Sequence, residues 1–225
     1  MVGGTGPEST AMYYSKLNQK IDQMTGGKEM PEIVIESVNF RKAWRYVENG
    51  DYEKLADYLS VKVSSLKEAK ADVIALTAGT MHIVFKDIER KTGVNLISIP
   101  KAVCEEVLKR NYKKVGLLGT IFTMEKDYMK ADLLDAGVDV VVPEKNDRDL
   151  IAKRIYEELE LRIVREETLV EFNEIISRMK TEKQIEAVIL GCTELPLLLN
   201  DKNCVLPCLD SVEIHINRLI ELSME

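Results

Sequence analysis

The sequence predicts an α/β protein of two Rossmann-like lobes with parallel sheets. Three observations carry the prediction. Short apolar runs alternate with amphipathic stretches along the chain, and such alternation builds parallel sheets with right-handed crossovers. The segments ADVIALTAGT (71–80) and IEAVILGCTE (185–194) share an acidic residue, an apolar run and a Leu before a small-residue turn. MVGGTG (1–6) and GLLGT (116–120) are likewise both strand-to-Gly-to-Thr turns. Each half therefore opens on strand–Gly–Thr–helix and closes on strand–turn–helix, which implies lobes related by a pseudo-twofold axis. The expected boundaries are 1–97 with 210–225 for the first lobe and 98–209 for the second.

Taken in order, Met1 and Val2 open a strand shorter than the usual ~5–6 residues, so this strand is expected to want residues upstream. The glycine turn follows, and Pro7 leads a helix over 8–24. The run at 33–37 reads as a strand. Tyr13, Tyr14 and the segment around Phe40 and Trp44 read as core or cleft wall, with core favoured. Helical periodicity returns over 52–69. A strand at 73–76 ends in a turn of small residues, and Thr80 is placed to cap a helix over 81–92. A strand at 96–99, a helix over 101–109, a strand at 115–118, a helix over 123–136 and a strand at 138–142 follow. Helices over 149–160 and 166–180, strands at 187–190 and 204–206, and a helix over 211–224 complete the pattern.

The chain has 225 residues, 45% hydrophobic and 31% charged, with a net charge of −7. That is ordinary globular composition with enough apolar content for a sizeable core. The acidic balance argues against nucleic-acid or anionic-membrane partners, which need a basic patch. No apolar run reaches the ~18–20 residues of a membrane span, and no signal-peptide pattern opens the chain. A cytoplasmic location is expected. The four cysteines form no CxxC pair and there are two histidines, which argues against a structural zinc site.

Ligands of α/β folds bind at the carboxyl ends of strands. Cys192 stands there, in Gly191-Cys192-Thr193-Glu194. A thiol at a helix N-terminus has a lowered pKa, which makes Cys192 a candidate base or nucleophile. Cys104, Cys204 and Cys208 are assigned to packing, as most free cysteines are. In the matching turn, Thr77, Ala78, Gly79 and Thr80 let a ligand approach the backbone, and free N–H groups there suit a carboxylate. Gly3-Gly4-Thr5-Gly6-Pro7 is neither GxGxxG nor a P-loop, so it favours a small carboxylate over a nucleotide. Gly119-Thr120 and Thr123 form a similar turn. His82 is read as a hydrogen-bonded structural residue, and His215 receives no function.

The motifs GGTGPEST (3–10), LTAGTMH (76–82) and GCTELPLL (191–198), extended by ESVNF (36–40), GLLGTIFTME (116–125) and IYEEL (155–159), resemble the aspartate/glutamate racemase superfamily, nearest in motif to its broad-specificity members. The resemblance spans the chain after Met1. It implies an amino-acid racemase without PLP or any other cofactor, an active site between the lobes, a homodimer, and a small amino-acid or dicarboxylate substrate. In that family two cysteines act on opposite faces of the substrate Cα. Here Cys192 matches the second, while Ala78 occupies the position of the first and Gly79 that of a usual Asn. Thr77, Thr80 or a water would then supply the second acid/base, unless Ala78 is an engineered replacement. The resemblance further assigns substrate contacts to Thr5, Gly79, Thr80, Thr120, Thr123, Lys153, Thr193 and Glu194. Two alternatives stay open: a single-cysteine lyase or isomerase of a small dicarboxylate, and a catalytically impaired carboxylate-binding protein.

Overall fold

In the computed structural model, which describes residues 1–224, the chain divides into two units. One is Met1–Ser98 together with the residues from His215 onward, and the other is Ile99–Ile214.

The first unit runs β1 (Val2–Gly3), α1 (Pro7–Met24), β2 (Glu36–Ser37), α2 (Phe40–Glu48), α3 (Tyr52–Glu68), a 3₁₀ helix (Gly79–Val84) and α4 (Phe85–Thr92). β1 and β2 pair in parallel. The strand expected at 33–37 is confined to its end, because its partner is short: Glu36 N–H donates to the Met1 carbonyl and Val38 N–H to that of Gly3. The segments expected as strands at 73–76 and 96–99 form single parallel bridges instead, Val2 with Leu76 and Ala75 with Ile97. The helix expected over 81–92 begins as the 3₁₀ turn and becomes α-helical only at Phe85. Helix α2 was not anticipated. Its apolar face is Ala43 and Val47, and the Asn39 side chain caps it by accepting Lys42 N–H. Phe40 and Trp44 stack at 5.9 Å, but Phe40 is 41% exposed, so it is not core. Tyr13 is fully buried and Tyr14 half exposed.

The second unit runs α5 (Ile99–Lys109), β3 (Lys114–Leu118), α6 (Ile121–Glu125), α7 (Ala131–Asp135), β4 (Asp139–Val141), α8 (Lys145–Glu157), α9 (Glu166–Arg178), β5 (Ala187–Leu190) and β6 (Cys208–Asp210), after which α10 (Ser211–Ser223) begins. The sheet order is β4-β3-β5-β6, all parallel. The single helix expected over 123–136 is broken. Lys126 turns extended, and the Asp127 carbonyl restarts the chain by accepting Lys130 and Ala131 N–H. The last strand lies at Cys208–Asp210, not at 204–206. The Asn173 side chain holds the preceding turn, accepting Val205 N–H and donating to the Asn203 carbonyl. Asp201 accepts Cys208 N–H, and pairing begins where the Pro207 carbonyl takes Val188 N–H.

β5 is buried on both faces, and its period of two divides the core. Val188 and Leu190 pack with Ile151, Ile155, Phe172 and Ile176 of α8 and α9. Ala187 and Ile189 pack with Val103, Val107 and Leu133 of α5 and α7. Each fully buried Leu or Ile contributes about 1.5–3 kcal/mol. The register pairs Leu118 with Leu190 and Leu190 with Asp210, so β3, β5 and β6 end level at one edge.

Candidate functional site

That carboxyl edge of the second unit's sheet brings together the candidate residues at its strand ends. Gly119-Thr120 leave β3, Gly191-Cys192-Thr193-Glu194 leave β5, and Asp210-Ser211 leave β6. The strand ends are tied together: Gly191 N–H donates to the Leu118 carbonyl at 2.8 Å, and Ser211 Oγ to that of Leu190 at 2.7 Å. Thr123 is wedged beneath both glycine turns. A Cβ at Gly119 would lie 2.9 Å from its methyl carbon, so something would have to shift, and one at Gly191 would lie 3.0 Å from it, a contact too tight to make without a small shift of its neighbours. Thr120 caps α6, its hydroxyl accepting Thr123 N–H at 3.2 Å.

Cys192 is partly buried and packs against the α8–α9 side of the core. Its thiol donates to Glu194 Oε2 at 2.7 Å, while Thr193 Oγ1 donates to Glu194 Oε1 at 2.6 Å. Both carboxylate oxygens are thus engaged. Burial, then the Glu194 charge, push the thiol well above the usual cysteine range, and Glu160 adds to the push. The sequence-based expectation of a lowered pKa is therefore corrected. The helix after Cys192 is only the 3₁₀ turn Leu195–Leu197, too short to oppose an adjacent carboxylate. Cys192 rests as a thiol whose proton is held on a carboxylate, an arrangement that can donate a proton.

The first unit collects the other predicted residues. Thr10 Oγ1 accepts Gly4 N–H at 2.8 Å and lies 3.3 Å from Thr77 Oγ1. Ser9 Oγ donates to the Thr77 carbonyl at 2.6 Å, and Thr77 Oγ1 to the Val2 carbonyl at 3.3 Å. These bonds knit GGTGPEST to LTAGTMH. Thr5 and Thr77 are buried, whereas Gly79 and Thr80 are partly exposed. Ala78, nearly buried, precedes the 3₁₀ helix as its cap residue, so Thr80 does not cap the helix as expected; it lies inside the helix.

His82 is buried, its Nδ1–H donating to the Ala78 and Gly79 carbonyls at 3.1 and 3.2 Å. Its ring lies parallel to Phe85 at 5.0 Å. Burial lowers its pKa to about 4, so the imidazole is neutral and braces the turn. His215 is also buried. Its Nε2–H donates to the Ile97 carbonyl at 3.0 Å, which leaves Nδ1 to accept the Tyr13 hydroxyl at 2.7 Å.

Lys153 joins neither group. It lies on α8 with its side chain 61% exposed and its Nζ 3.9 Å from Glu157. Cys104 is buried, and Cys204 and Cys208 are partly buried against the core. Sequence reasoning missed Glu160, hidden in a charged run, and the hydroxyl of Tyr128, which follows Thr123 by a broken helix. Among the described residues no His/Cys/Asp/Glu group suits a metal ion, and no helix is long and apolar enough to cross a membrane.

The Asp/Glu/Hydantoin racemase family profile matches residues 2–219. A solved structure of a candidate Asp/Glu racemase from Yersinia pestis superposes with a TM-score of 0.94 at 33% identity, covering 100% of this chain and 97% of that one. An aspartate racemase homologue from Pyrococcus horikoshii gives a TM-score of 0.89 at 38% identity, with the same coverage. A glutamate racemase from Actinobacillus pleuropneumoniae is 25% identical over 137 residues, which is 60% of this chain and 50% of that protein.

Proposed function

The chain belongs to the Asp/Glu/Hydantoin racemase family, and from that premise we propose that it interconverts L- and D-amino acids of the aspartate/glutamate type without PLP, with Cys192 as one acid/base. The observation that carries the proposal is the Cys192 thiol held on Glu194 at the carboxyl edge of β5. Racemisation removes the Cα proton on one face and returns a proton on the other, so it needs an acid and a base tuned apart. Cys192, protonated at rest, is the acid. Glu194 sits where it can receive the thiol proton when Cys192 acts in the reverse sense. Backbone N–H groups and the hydroxyl of Thr120 are the candidates to hold the α-carboxylate, whereas the Thr193 hydroxyl proton is already committed to Glu194.

The second acid/base is a hydroxyl or a water, because Ala78 has no proton to transfer. Thr77 uses its hydroxyl within the fold, which favours the partly exposed Thr80 or a water. A hydroxyl is a weak base unless activated, so turnover is slow or favours one direction. The test is incubation in D2O with each enantiomer of aspartate, glutamate and several neutral amino acids, following Cα proton exchange by NMR. Wild-type protein exchanges with inversion, and Cys192→Ala abolishes exchange. Full exchange in Cys192→Ala would refute the role of Cys192.

One observation favours a second reading. A protonated thiol and an alanine at position 78 suit a single-cysteine lyase or isomerase of a small dicarboxylate, where one proton donor is enough. Turnover of malonate or maleate analogues without any amino-acid exchange would select it.

A further inference from the structure

Two cysteines meet in the turn that leads into β6. Cys204 and Cys208 are both free and partly buried, and both pack against the same side of the core. The turn that carries them is tied at each end. Cys204 N–H donates to the Asn200 carbonyl at 3.0 Å, and Cys208 N–H to Asp201 Oδ1 at 2.8 Å. Asn173 of α9 holds the turn from outside, accepting Val205 N–H and donating to the Asn203 carbonyl, both at 2.9 Å. The chain between 204 and 208 therefore doubles back, and the Cys208 thiol hydrogen-bonds the Cys204 sulfur. The Leu206 carbonyl, 3.8 Å from the Cys208 sulfur, is a second acceptor for the same proton.

The two sulfurs differ in their surroundings. The Cys208 thiol and the N–H groups of Leu206 and Val205 face Cys204, and they outweigh burial and the Asp201 charge to lower it to about 7. Cys204 is then roughly half thiolate at neutral pH, and the thiolate is the nucleophile. Cys208 is pushed upward by its bond to Cys204, by burial, and by the charges of Cys204, Asp201 and Asp210. A thiolate with a protonated thiol resting on it is the pairing of an attacking and a resolving cysteine. Cys208 pairs with Val188, two residues before the Leu190–Asp210 pair at the carboxyl edge, so this pair is distinct from Cys192.

We propose that Cys204 and Cys208 are an oxidative modification site, in which Cys204 attacks a peroxide and Cys208 resolves the product to a disulfide. The Cys204 thiolate attacks one oxygen of hydrogen peroxide, the O–O bond breaks, and hydroxide leaves to take up a proton as water. Cys204 is then a sulfenic acid. The Cys208 sulfur attacks the Cys204 sulfur, the S–O bond breaks, and the departing hydroxide leaves with the Cys208 proton as a second water. Two thiols are oxidised by two electrons and the peroxide is reduced by two. The first step also removes the Cys204 charge that holds the proton on Cys208, so the resolving thiol is released as its target forms. The sulfurs have only to close from hydrogen-bond contact to the ~2.05 Å of a disulfide.

Both cysteines fall in one tryptic peptide, 203–218, which holds no other cysteine. The test treats the folded protein with hydrogen peroxide at pH 7, adds iodoacetamide and reads that peptide by mass spectrometry. The peptide should lose two hydrogens and take no label, and dithiothreitol should restore two labels. In Cys208→Ser, Cys204 should stop at the sulfenic acid and be captured by dimedone. In Cys204→Ser, Cys208 should stay reduced. The disulfide should close about threefold faster in the folded protein than in urea, because the fold supplies the thiolate. Equal rates in urea would overturn the inference, since chain spacing alone would then bring the sulfurs together. So would a wild-type peptide that keeps both labels after peroxide, or one with a sulfinic acid on Cys204 and no disulfide. Oxidation of Cys208 in Cys204→Ser at the wild-type rate would overturn the assigned roles.

Discussion

Acidification from pH 7 to pH 5 should destabilise the first unit through two buried histidines. The unfolded imidazole titrates at 6.5, while burial lowers the folded value to about 4 for His82 and about 3 for His215. For His215 the nearby His82 adds to the effect of burial. Between those limits the unfolded chain binds more protons than the folded chain, so stability falls as pH falls. The contribution is fully present above about pH 6.5 and is lost progressively on the way down. At pH 5 each histidine lies about 1.5 pH units below the unfolded value. At 1.36 kcal/mol per unit, each costs about 2 kcal/mol, and the pair about 4 kcal/mol. Against a typical total of about 5–15 kcal/mol that loss is large. His82 bonds to the Ala78 and Gly79 carbonyls, and His215 to the Ile97 carbonyl and to Tyr13. The Met1 amino group, which burial lowers to about 6, titrates in the same window and adds about 1 kcal/mol to the loss, so the two histidines carry most of it. Denaturant unfolding at pH 7, 6 and 5 measures the loss. NMR of the imidazoles should show both neutral in the folded protein at pH 5. Equal stability at pH 7 and 5, or folded-state imidazoles titrating near 6.5, would show that the two histidines do not carry this loss.

Two further outcomes follow from the second unit. Cys204 should be alkylated by iodoacetamide near pH 7 well ahead of Cys104: the neighbouring Cys208 thiol and the backbone N–H groups of Leu206 and Val205 lower Cys204 to about 7, whereas burial raises Cys104. Peptide mass spectrometry of timed samples reads the order, and Cys104 reacting first would contradict it. Arg154→Ala should cost about 3 kcal/mol in urea unfolding, because it strips a nearly buried Glu158 of its 2.6 Å partner and also releases Glu171. A loss below about 1 kcal/mol would make that network a solvated surface pair.

Much of the parallel α/β architecture was legible because burial imposes period. The all-apolar run at 187–190 has to be a strand covered on both faces, and β5 is Ala187–Leu190 with helices on either side. α1 and α3 follow from their apolar spacing in the same way. What failed was governed by partners distant in sequence. Cys204–Leu206 is as apolar as a strand, yet Asn173, some thirty residues earlier, holds that turn and shifts pairing to Cys208. Phe40 looked like core, but α2 turns Ala43 and Val47 inward instead.

The family, the parallel strand–helix alternation and the candidate residues at the strand ends were readable along the chain, because motif spacing and hydrophobic period are properties of the chain. The state of those residues was set by the folded neighbourhood. A thiol's proton depends on what lies within a few ångströms, and burial, with Glu194 beside the thiol, reverses the lowering expected from the following helix. Tyr128 reaches Thr123 only because the chain breaks its helix between them.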